Sequence, residues 1–509
     1  MQANRPAQAP ANASPERPLP GDTSAYALIK RRRRGLWLLV LVVLLVGTSV
    51  LGTRIAATHS TGTAVLAVRV EQQQPLTLYL QDSAVRSPFV FGTNVFPASG
   101  TRALDGAYGF MPYDANTVAQ LKAASITMLR FPGGTWGEAH TPSNAQLNAV
   151  FALAHQTNTK LLMQVRMAGS TPQEAARLVS YSNNPRDPAR VLQGGVLPFV
   201  PVHYWVIGNE PDQTGSGYTV QDYVRDYIRF ATAMKAVDPT IQIFGPEISQ
   251  YDGPDAGPFD ATGTAWLAGF LKGIAAYEQA HHVQILDGVS IHSYAFGNIG
   301  VASSSLLFSS AGEWQYLMPL LQAQIRQIIG TSLPVAITEI NESTQTGSAI
   351  NPSEAALWWA DTLGALLEQH VDFVDYFAAR GVAQPSPLLT QAGSATTMER
   401  VMQLYSHMAP DVIVVNSGSS PVSTYAATDS SIDMATLMFI NKSAAAVTIT
   451  VNPVGGLADW SSVRFQLPPY AILCAVVGRG ATAREYLYVP PAQTGAAGQA
   501  GTIVEAPLH

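Results

Sequence analysis

The sequence predicts an α/β protein: a (β/α)8 TIM barrel with a flanking antiparallel β-sandwich domain, plus an N-terminal transmembrane helix. Three observations predict it. Eight apolar, β-rich runs alternate with amphipathic helical stretches between residues 88 and 396, the rhythm of a barrel of parallel strands. After residue 397 the pattern becomes short alternating strands with turn signals, as in a sandwich. Near the start, one long uncharged run follows a basic cluster.

The barrel runs are PFVFGTNVF (88–96), SITMLRF (125–131), TKLLMQVRM (159–167), VHYWVIGN (202–209), IQIFG (241–245), GVSIHSY (288–294), PVAITEI (334–340) and VDFVDYF (371–377). Each is apolar enough to be buried on both faces. Helices fit the gaps. Leu147, Val150, Phe151 and Ala154 follow one helix face, and Tyr223, Tyr227 and Met234 trace another. Thr171-Pro172-Gln173-Glu174 reads as N-cap, N1 proline and capping-box Glu, and Asn351-Pro352-Ser353-Glu354 repeats that chemistry. The rival is an open doubly wound sheet, but no Gly-rich phosphate loop follows the first strand.

The remaining segments divide the chain as follows. Residues 1–34 form a disordered basic tail, expected on the cytoplasmic side, and end in KRRRR (30–34). The run 35–53, GLWLLVLVVLLVGTSVLGT, would rise roughly 28 Å as a helix, close to the hydrocarbon thickness of a bilayer. A retained signal-anchor is therefore expected, with the catalytic part outside the cell and bound to the membrane. A cleaved signal peptide, giving a secreted protein, is the competing reading. Residues 64–87 are expected to add strands to the sandwich, 88–396 form the barrel, 397–490 the C-terminal sandwich and 491–509 a flexible tail.

Composition narrows the function. Apolar residues make up 47% and charged residues 13% of the 509, a globular balance. Up to Arg54 there are eight basic and two acidic residues, which leaves 21 basic and 33 acidic beyond it, a net of about −12. That lacks the electrostatic footprint of a nucleic-acid binder and suits a neutral substrate. The single cysteine, Cys474, excludes an intrachain disulfide and reads as a small buried hydrophobe in a strand. No cofactor or metal is expected, and the oligomeric state is not legible.

Barrel chemistry sits where strands end. The fourth run ends in Asn209 and Glu210, followed by Pro211 and Asp212, residue types that strands disfavour. The seventh ends in Thr338 and Glu339. Two carboxylic acids across a pocket mouth are the minimum equipment for cleaving a glycosidic bond, one protonating the leaving oxygen and the other attacking carbon or activating water.

The motifs themselves carry a resemblance. WVIGNEPD (205–212) resembles the strand-four acid/base motif of glycoside hydrolase clan A, and PVAITEI resembles its strand-seven nucleophile motif. MLRFPGGTWGE (128–138) is similar to the strand-two segment of the α-L-arabinofuranosidase, β-xylosidase, endoglucanase and heparanase-like β-glucuronidase families, and TPQEAARLVSYSN (171–183) to their helix after strand three. The resemblance implies a retaining glycosidase acting on a carbohydrate substrate, with Glu210 as general acid/base and Glu339 as nucleophile. It further implies Asn209 on the sugar 2-hydroxyl, Arg130 near the nucleophile, and His292 and Tyr294 lining the pocket. Trp136 is a candidate sugar platform or a loop-packing residue, and Asn94 a rim polar group. Glu138 and Glu247 are extra carboxylates that could contact substrate, whereas Glu342 is expected to face solvent. Where many clan members carry a strand-eight tryptophan, this chain reads DYFAARG, so Phe377 or Arg380 is expected in that space.

Rival chemistries fit less well. A metal-dependent barrel hydrolase wants a His-x-His pair on strand one, which FVFGTNVF lacks, and a Schiff-base aldolase wants a lysine at a strand exit. The alternative from another class is a membrane-displayed carbohydrate-binding protein on a catalytically inactive barrel.

Overall fold

The computed structural model describes residues 63–98, 110–192, 200–213, 218–254, 256–297, 299–301, 303–344, 351–380, 386–415, 421–429, 433–457, 459–478, 483–490 and 500–507. The predicted basic tail and the 35–53 run lie outside them. Among the described residues no helix is long and apolar enough to cross a membrane.

Eight parallel strands close into a barrel. In chain order they are Phe89–Asn94, Met128–Phe131, Lys160–Val165, Tyr204–Ile207, Gln242–Ile248, Gly288–Tyr294, Val335–Asn341 and Phe373–Tyr376, called here strands 1 to 8. Each lies in one of the eight predicted runs, except that strand 5 extends three residues further and strand 7 one. Closure is completed by pairing strand 8 with strand 1, Asp375 opposite Gly92 and Tyr376 opposite Thr93.

Alternation along the strands explains the barrel's two environments. Inward-facing Met128, Leu162, Val206, Phe244, Ala336 and Phe373 fill the lower barrel, with Phe89 and Tyr204 packed against them. The outward faces join the helices in a larger core that includes Leu147, Val150, Tyr223, Tyr227 and Met234. Higher up, the inward positions become polar: Arg130, Gln164, His292, Thr338 and Asp375 are all buried. An apolar plug thus closes the bottom and leaves chemistry at the strand ends.

The predicted caps form, but with altered partners. Thr171 accepts the Glu174 N–H and Asn351 the Ser353 N–H, each with proline at the first turn. The two glutamates do not close capping boxes; Glu174 accepts from Ser170 Oγ (2.9 Å) and Glu354 from Ser304 Oγ (2.8 Å). Neighbouring hydroxyls outside the helix compete successfully for the carboxylates.

Two antiparallel sheets flank the barrel. The smaller contains Val65–Val70 and Leu76–Tyr79 beside Val447–Val454 and Val463–Leu467, so the segment before the barrel pairs with strands from after it. The larger has seven strands, of which the central Val422–Asp429, Met434–Asn441 and Ile472–Gly478 are buried on both faces. One face, with Ala426, Leu437, Phe439, Leu473 and Ala475, meets the smaller sheet. The other, with Tyr425, Ala427, Met438, Ile440 and Cys474, joins the barrel core. Burial pushes the Cys474 thiol up to about 12, consistent with an inert packing residue.

The joint between barrel and sheet is the helix Pro352–Glu368, which is buried along most of its length. A Cβ on Gly364 would stand 2.4 Å from the Tyr425 ring, so only glycine allows this approach. Tyr425 Oη donates to Asp361 Oδ1 (2.7 Å), and Lys442 Nζ pairs with Asp361 Oδ2 (2.6 Å). One expectation is corrected here: the tail is not flexible throughout, because Thr502–Pro507 pairs as an edge strand with Arg484–Val489. A Gly- and Ala-rich approach hides a short β-branched segment, TIVEAP, whose backbone groups the sheet edge can satisfy.

Candidate active site

Strand 4 delivers its polar residues through a bend. Gly208 has φ +78°, and Glu210 itself lies in the left-handed region at φ +45°. Such a conformation costs free energy for a residue with a Cβ and needs outside support. Support comes from strand 5: Glu210 N–H donates to the Glu247 carbonyl (2.9 Å), and Asp212 Oδ1 accepts the Ser249 N–H (2.9 Å). The Asn-Glu-Pro-Asp cluster therefore divides its work. Asn209 and Glu210 enter the site, Pro211 opens a short 3-10 turn, and Asp212 ties the turn to the next strand.

Arg130 is the hub. It is fully buried on strand 2. Nη1 donates to Asn94 Oδ1 and Glu339 Oε1, both at 2.8 Å, and Nη2 donates to Asn209 Oδ1 (2.9 Å) and Glu247 Oε2 (2.6 Å). The planar guanidinium thus fixes groups from strands 1, 4, 5 and 7 at once, which a point-like ammonium cannot do. Asn94 is buried and completes the hub by donating to the Thr338 carbonyl (2.9 Å).

His292 and Tyr294, two residues apart on strand 6, both reach the carboxylates. Tyr294 Oη donates to Glu339 Oε2 at 2.6 Å. His292 Nδ1 lies 2.9 Å from Glu210 Oε1 and 3.6 Å from Glu339 Oε2, while Nε2 lies 3.4 Å from Glu247 Oε2. Burial alone would hold the imidazole down, but Glu339, Glu210 and Glu247 around it raise it to about 10. A protonated ring donates from both nitrogens. One ligand-type atom each of Glu210, His292 and Glu339 lies within 4.8 Å of the others, a spacing that would also suit a cation. The histidine's three carboxylate contacts use both of its nitrogens and favour the imidazolium instead.

The acids differ in surroundings. Burial would push the Glu247 carboxyl up, yet Arg130 and then His292 draw it down to about 2. Burial raises Glu339, with His292, Arg130 and the Tyr294 hydroxyl pulling the other way and Glu210 adding to the rise. Two cations, Arg130 and protonated His292, face two buried carboxylates, Glu247 and Glu339. Asp375, also fully buried near Arg130 and Glu247, is pushed well above the usual carboxylate range by burial, whereas the Glu210 side chain is 24% exposed.

These shifts fix the pH dependence of stability. His292 binds its proton more tightly folded (about 10) than unfolded (6.5). Its contribution is full below about pH 6.5 and is lost as the pH climbs through about 10. Glu247 is the reverse: its contribution is present above about 4.5 and lost as pH falls through about 2. Thermal midpoints measured against pH are expected to fall on the alkaline side, with a shallower fall in His292→Gln. Parallel alkaline limbs for the two proteins would contradict this.

The other predicted residues sit as follows. Trp136 is 4% exposed, and its ring stacks on His140 at 4.8 Å between centroids, so it packs the rim loop. Phe377, not Arg380, occupies the strand-eight position at the site: it packs edge-on against Tyr294 (6.3 Å) and close to Gly134. Arg380 turns away to Asp114 and Thr117 (3.2 and 2.9 Å). Glu342 does not face solvent. It is fully buried and accepts from Ser386 Oγ (2.6 Å), and burial pushes it up to about 7. Strand 7 continues past Glu339 through Asn341, and the chain beyond meets Ser386 from after strand 8 and Gly297 and Ile299 from after strand 6. Glu247 also differs from a substrate contact: it is a fully buried anchor for Arg130, His292 and Thr338. Its one sequence signal is GPE at the end of a strand-length run, where a polar residue again follows a break.

The model for glycosyl hydrolases family 39 matches residues 200–396, the span that carries both Glu210 and Glu339. Over that segment the chain resembles the clan A glycoside hydrolases, and it is a glycosidase. Structures similar to this glycosidase include a family 51 α-L-arabinofuranosidase from Bifidobacterium longum, at 14% identity and TM-score 0.60, covering 83% of this chain and all of that one. A family 44 xyloglucanase from Paenibacillus polymyxa matches at 12% identity and TM-score 0.56, covering 78% and 98% of the two chains. A bifunctional glucanase-xylanase from a metagenome library matches at 14% identity and TM-score 0.55, again covering 78% and 98%. At these identities the likeness concerns the fold. No curated protein matches the glycosidase in sequence.

Proposed function

We propose that this glycosidase is a retaining enzyme that cleaves plant or microbial polysaccharide or oligosaccharide by double displacement, with Glu210 as acid/base and Glu339 as nucleophile. One observation carries the reading: an oxygen of Glu210 and an oxygen of Glu339 lie within 4.8 Å of each other, on strands 4 and 7. That is near the ~5–5.5 Å carboxyl separation of retaining enzymes, and short of the ~6.5–9.5 Å that leaves room for a water in inverting ones.

The steps follow from the contacts. Glu339, held by Arg130 and Tyr294, attacks the anomeric carbon as Glu210 gives its proton to the departing oxygen. The products are a glycosyl ester on Glu339 and an alcohol. Water, losing a proton to Glu210, then attacks the same carbon and restores the Glu339 carboxylate. Arg130 and Asn94 keep the nucleophile aimed, Asn209 contacts the sugar, and His292 keeps a proton beside Glu210 throughout. Phe377 and Tyr294 provide the apolar wall for the ring.

The sugar class is that of the structural relatives, whose names point to arabinofuranosides, xylan and glucans. The 35–53 run supports display of the barrel on the outer side of a membrane. Aryl arabinofuranosides, xylosides, glucosides and glucuronides offered to intact cells and to their membrane and soluble fractions test both parts. Release of aglycone from one sugar, by intact cells and by the membrane fraction, is expected. No release from any sugar would favour a binding protein, and activity confined to the cell interior would remove the display.

A further inference from the structure

Glu210 takes its place after strand 4 has ended, where the chain changes partners. Gly208 N–H still donates to the Val165 carbonyl of strand 3 (2.9 Å), but two residues on, Glu210 N–H donates to the Glu247 carbonyl of strand 5 (2.9 Å). A bulge presents that carbonyl. Strand 5 pairs with strand 6 at Pro246 opposite Ser290 and at Ile248 opposite Ile291, which makes Glu247 the extra residue, with φ +60°. Glu210 and Glu247 thus meet through one main-chain hydrogen bond, each with left-handed backbone. Two strained residues joined by a single bond need a further hold.

Side chains supply it. Residues 210–213 form one tight turn, closed by Gln213 N–H on the Glu210 carbonyl (2.8 Å). Asp212 Oδ1 accepts the N–H of Ser249, the residue just past strand 5, at 2.9 Å, and Oδ2 accepts from the Ser249 hydroxyl and from Gln213 Nε2 (3.0 Å). Gln213 Nε2 also reaches Ser249 Oγ (3.1 Å).

We propose that Asp212 is the positioning residue for the acid/base: its two-oxygen grip on Ser249 fastens the turn to the strand-5 exit and so sets where the Glu210 carboxyl stands, a role that rests on the reading of Glu210 given above. Asp212 acts through the main chain. Glu210 and Asp212 on one strand exit, with Glu247 and Ser249 on the other, close a ring through the main-chain bond at one end and the carboxylate at the other. One bond alone is a hinge; the second removes the rotation.

Hydrogen bonds to a charged acceptor are about twice as strong as neutral ones. Asp212→Ala opens the ring, and the turn is free to tilt. A misplacement of about 1 Å can cost on the order of 10²-fold in rate. Asp212→Asn keeps an acceptor for the Ser249 N–H and offers its NH₂ to the Ser249 hydroxyl, which can accept, so the ring stays closed although the charge is gone.

The consequence should fall on the step that needs the proton of Glu210. A phenolate leaves slowly without it and a 2,4-dinitrophenolate does not, while kcat/KM reports the steps up to the glycosyl ester. The test measures kcat/KM for paired phenyl and 2,4-dinitrophenyl glycosides of arabinofuranose, xylose, glucose and glucuronic acid in wild type, Asp212→Ala, Asp212→Asn, Ser249→Ala and Glu210→Ala. The expected result for Asp212→Ala is a loss of about 10–100-fold on the phenyl substrate of the preferred sugar and less than about 3-fold on its dinitrophenyl partner. Asp212→Asn should stay within about 5-fold of wild type on both, the effect of weakening one charge-assisted acceptor. Ser249→Ala, which keeps the N–H and removes the hydroxyl, should show the selectivity of Asp212→Ala with a smaller loss and serves if that variant does not fold.

An equal loss on both leaving groups, or no loss on either, would overturn the assignment. So would an Asp212→Asn variant as impaired as Asp212→Ala, because the charge near Glu210 and not the hold would then be at work. If Glu210→Ala shows leaving-group selectivity and Asp212→Ala does not, Asp212 alone is misassigned. If Glu210→Ala shows none, the acid/base reading itself has failed.

Discussion

Glu339→Ala is expected to abolish turnover, with kcat lower by on the order of 10⁴-fold or more, while the protein stays folded. The side chain is small in volume and partly wrapped by donors: Arg130 Nη1 on one oxygen and Tyr294 Oη on the other. Removing it relieves a crowded set of acids around His292 at the cost of one acceptor for each of those donors, Arg130 Nη1 keeping Asn94 Oδ1. The chemical loss is specific because no neighbour can substitute. Glu247 is fully buried and held by Arg130, Thr338 and His292, and Glu342 is fully buried against Ser386. An activated 2-fluoro glycoside of the preferred sugar should therefore trap one ester, on Glu339, seen as a single modified peptide by mass spectrometry. Azide added to Glu339→Ala should restore turnover and yield a glycosyl azide of inverted configuration. Label on Glu247 or Glu342, or wild-type rates in the alanine variant, would remove Glu339 from the role.

The second large effect concerns Arg130. Arg130→Met leaves two carboxylates, Glu247 and Glu339, without their buried cation. Both are buried with it. Breaking such a pair by removing one member costs about 3–5 kcal/mol, so the thermal midpoint should drop by many degrees and activity should vanish together. Arg130→Lys should fare little better, because one ammonium cannot span Asn94, Asn209, Glu247 and Glu339. The decisive form is a double-mutant cycle with Glu247→Gln. If the two side chains act as one unit, the double variant loses much less than the sum of the singles. Additivity within about 0.5 kcal/mol would mean that the 2.6 Å contact carries little energy and that Arg130 serves substrate more than structure.

The network is less legible in the sequence than the proposed catalytic pair because of what each residue type signals locally. Glu210 and Glu339 each follow a run of apolar, β-branched residues, and a carboxylate in that place has few structural reasons to be there. Glu247 follows a run interrupted by Gly245 and Pro246, which reads as a turn, so its burial is hidden. The same holds for Glu342: its neighbours Asn341 and Ser343 look like a solvated loop, but Phe377 and Ser386 from after strand 8 and Gly297 and Ile299 from after strand 6 pack over them. Glu138 illustrates a third case. Its Oε1 accepts the backbone N–H of Ala168, just past strand 3, and no sequence pattern records which main-chain groups a side chain will meet.

The order of the strands, their burial on both faces and the two acids at their ends were determined by the sequence itself, because hydrophobic period and strand-end chemistry are local properties of the chain. The tertiary structure decided which acids face one another, which cations neutralise them, and that Thr502–Pro507 has a sheet edge to pair with. The physical reason is that Coulomb and hydrogen-bond energies depend on distance and dielectric across the closed barrel, and those are set only once residues far apart in the chain are brought together around Arg130.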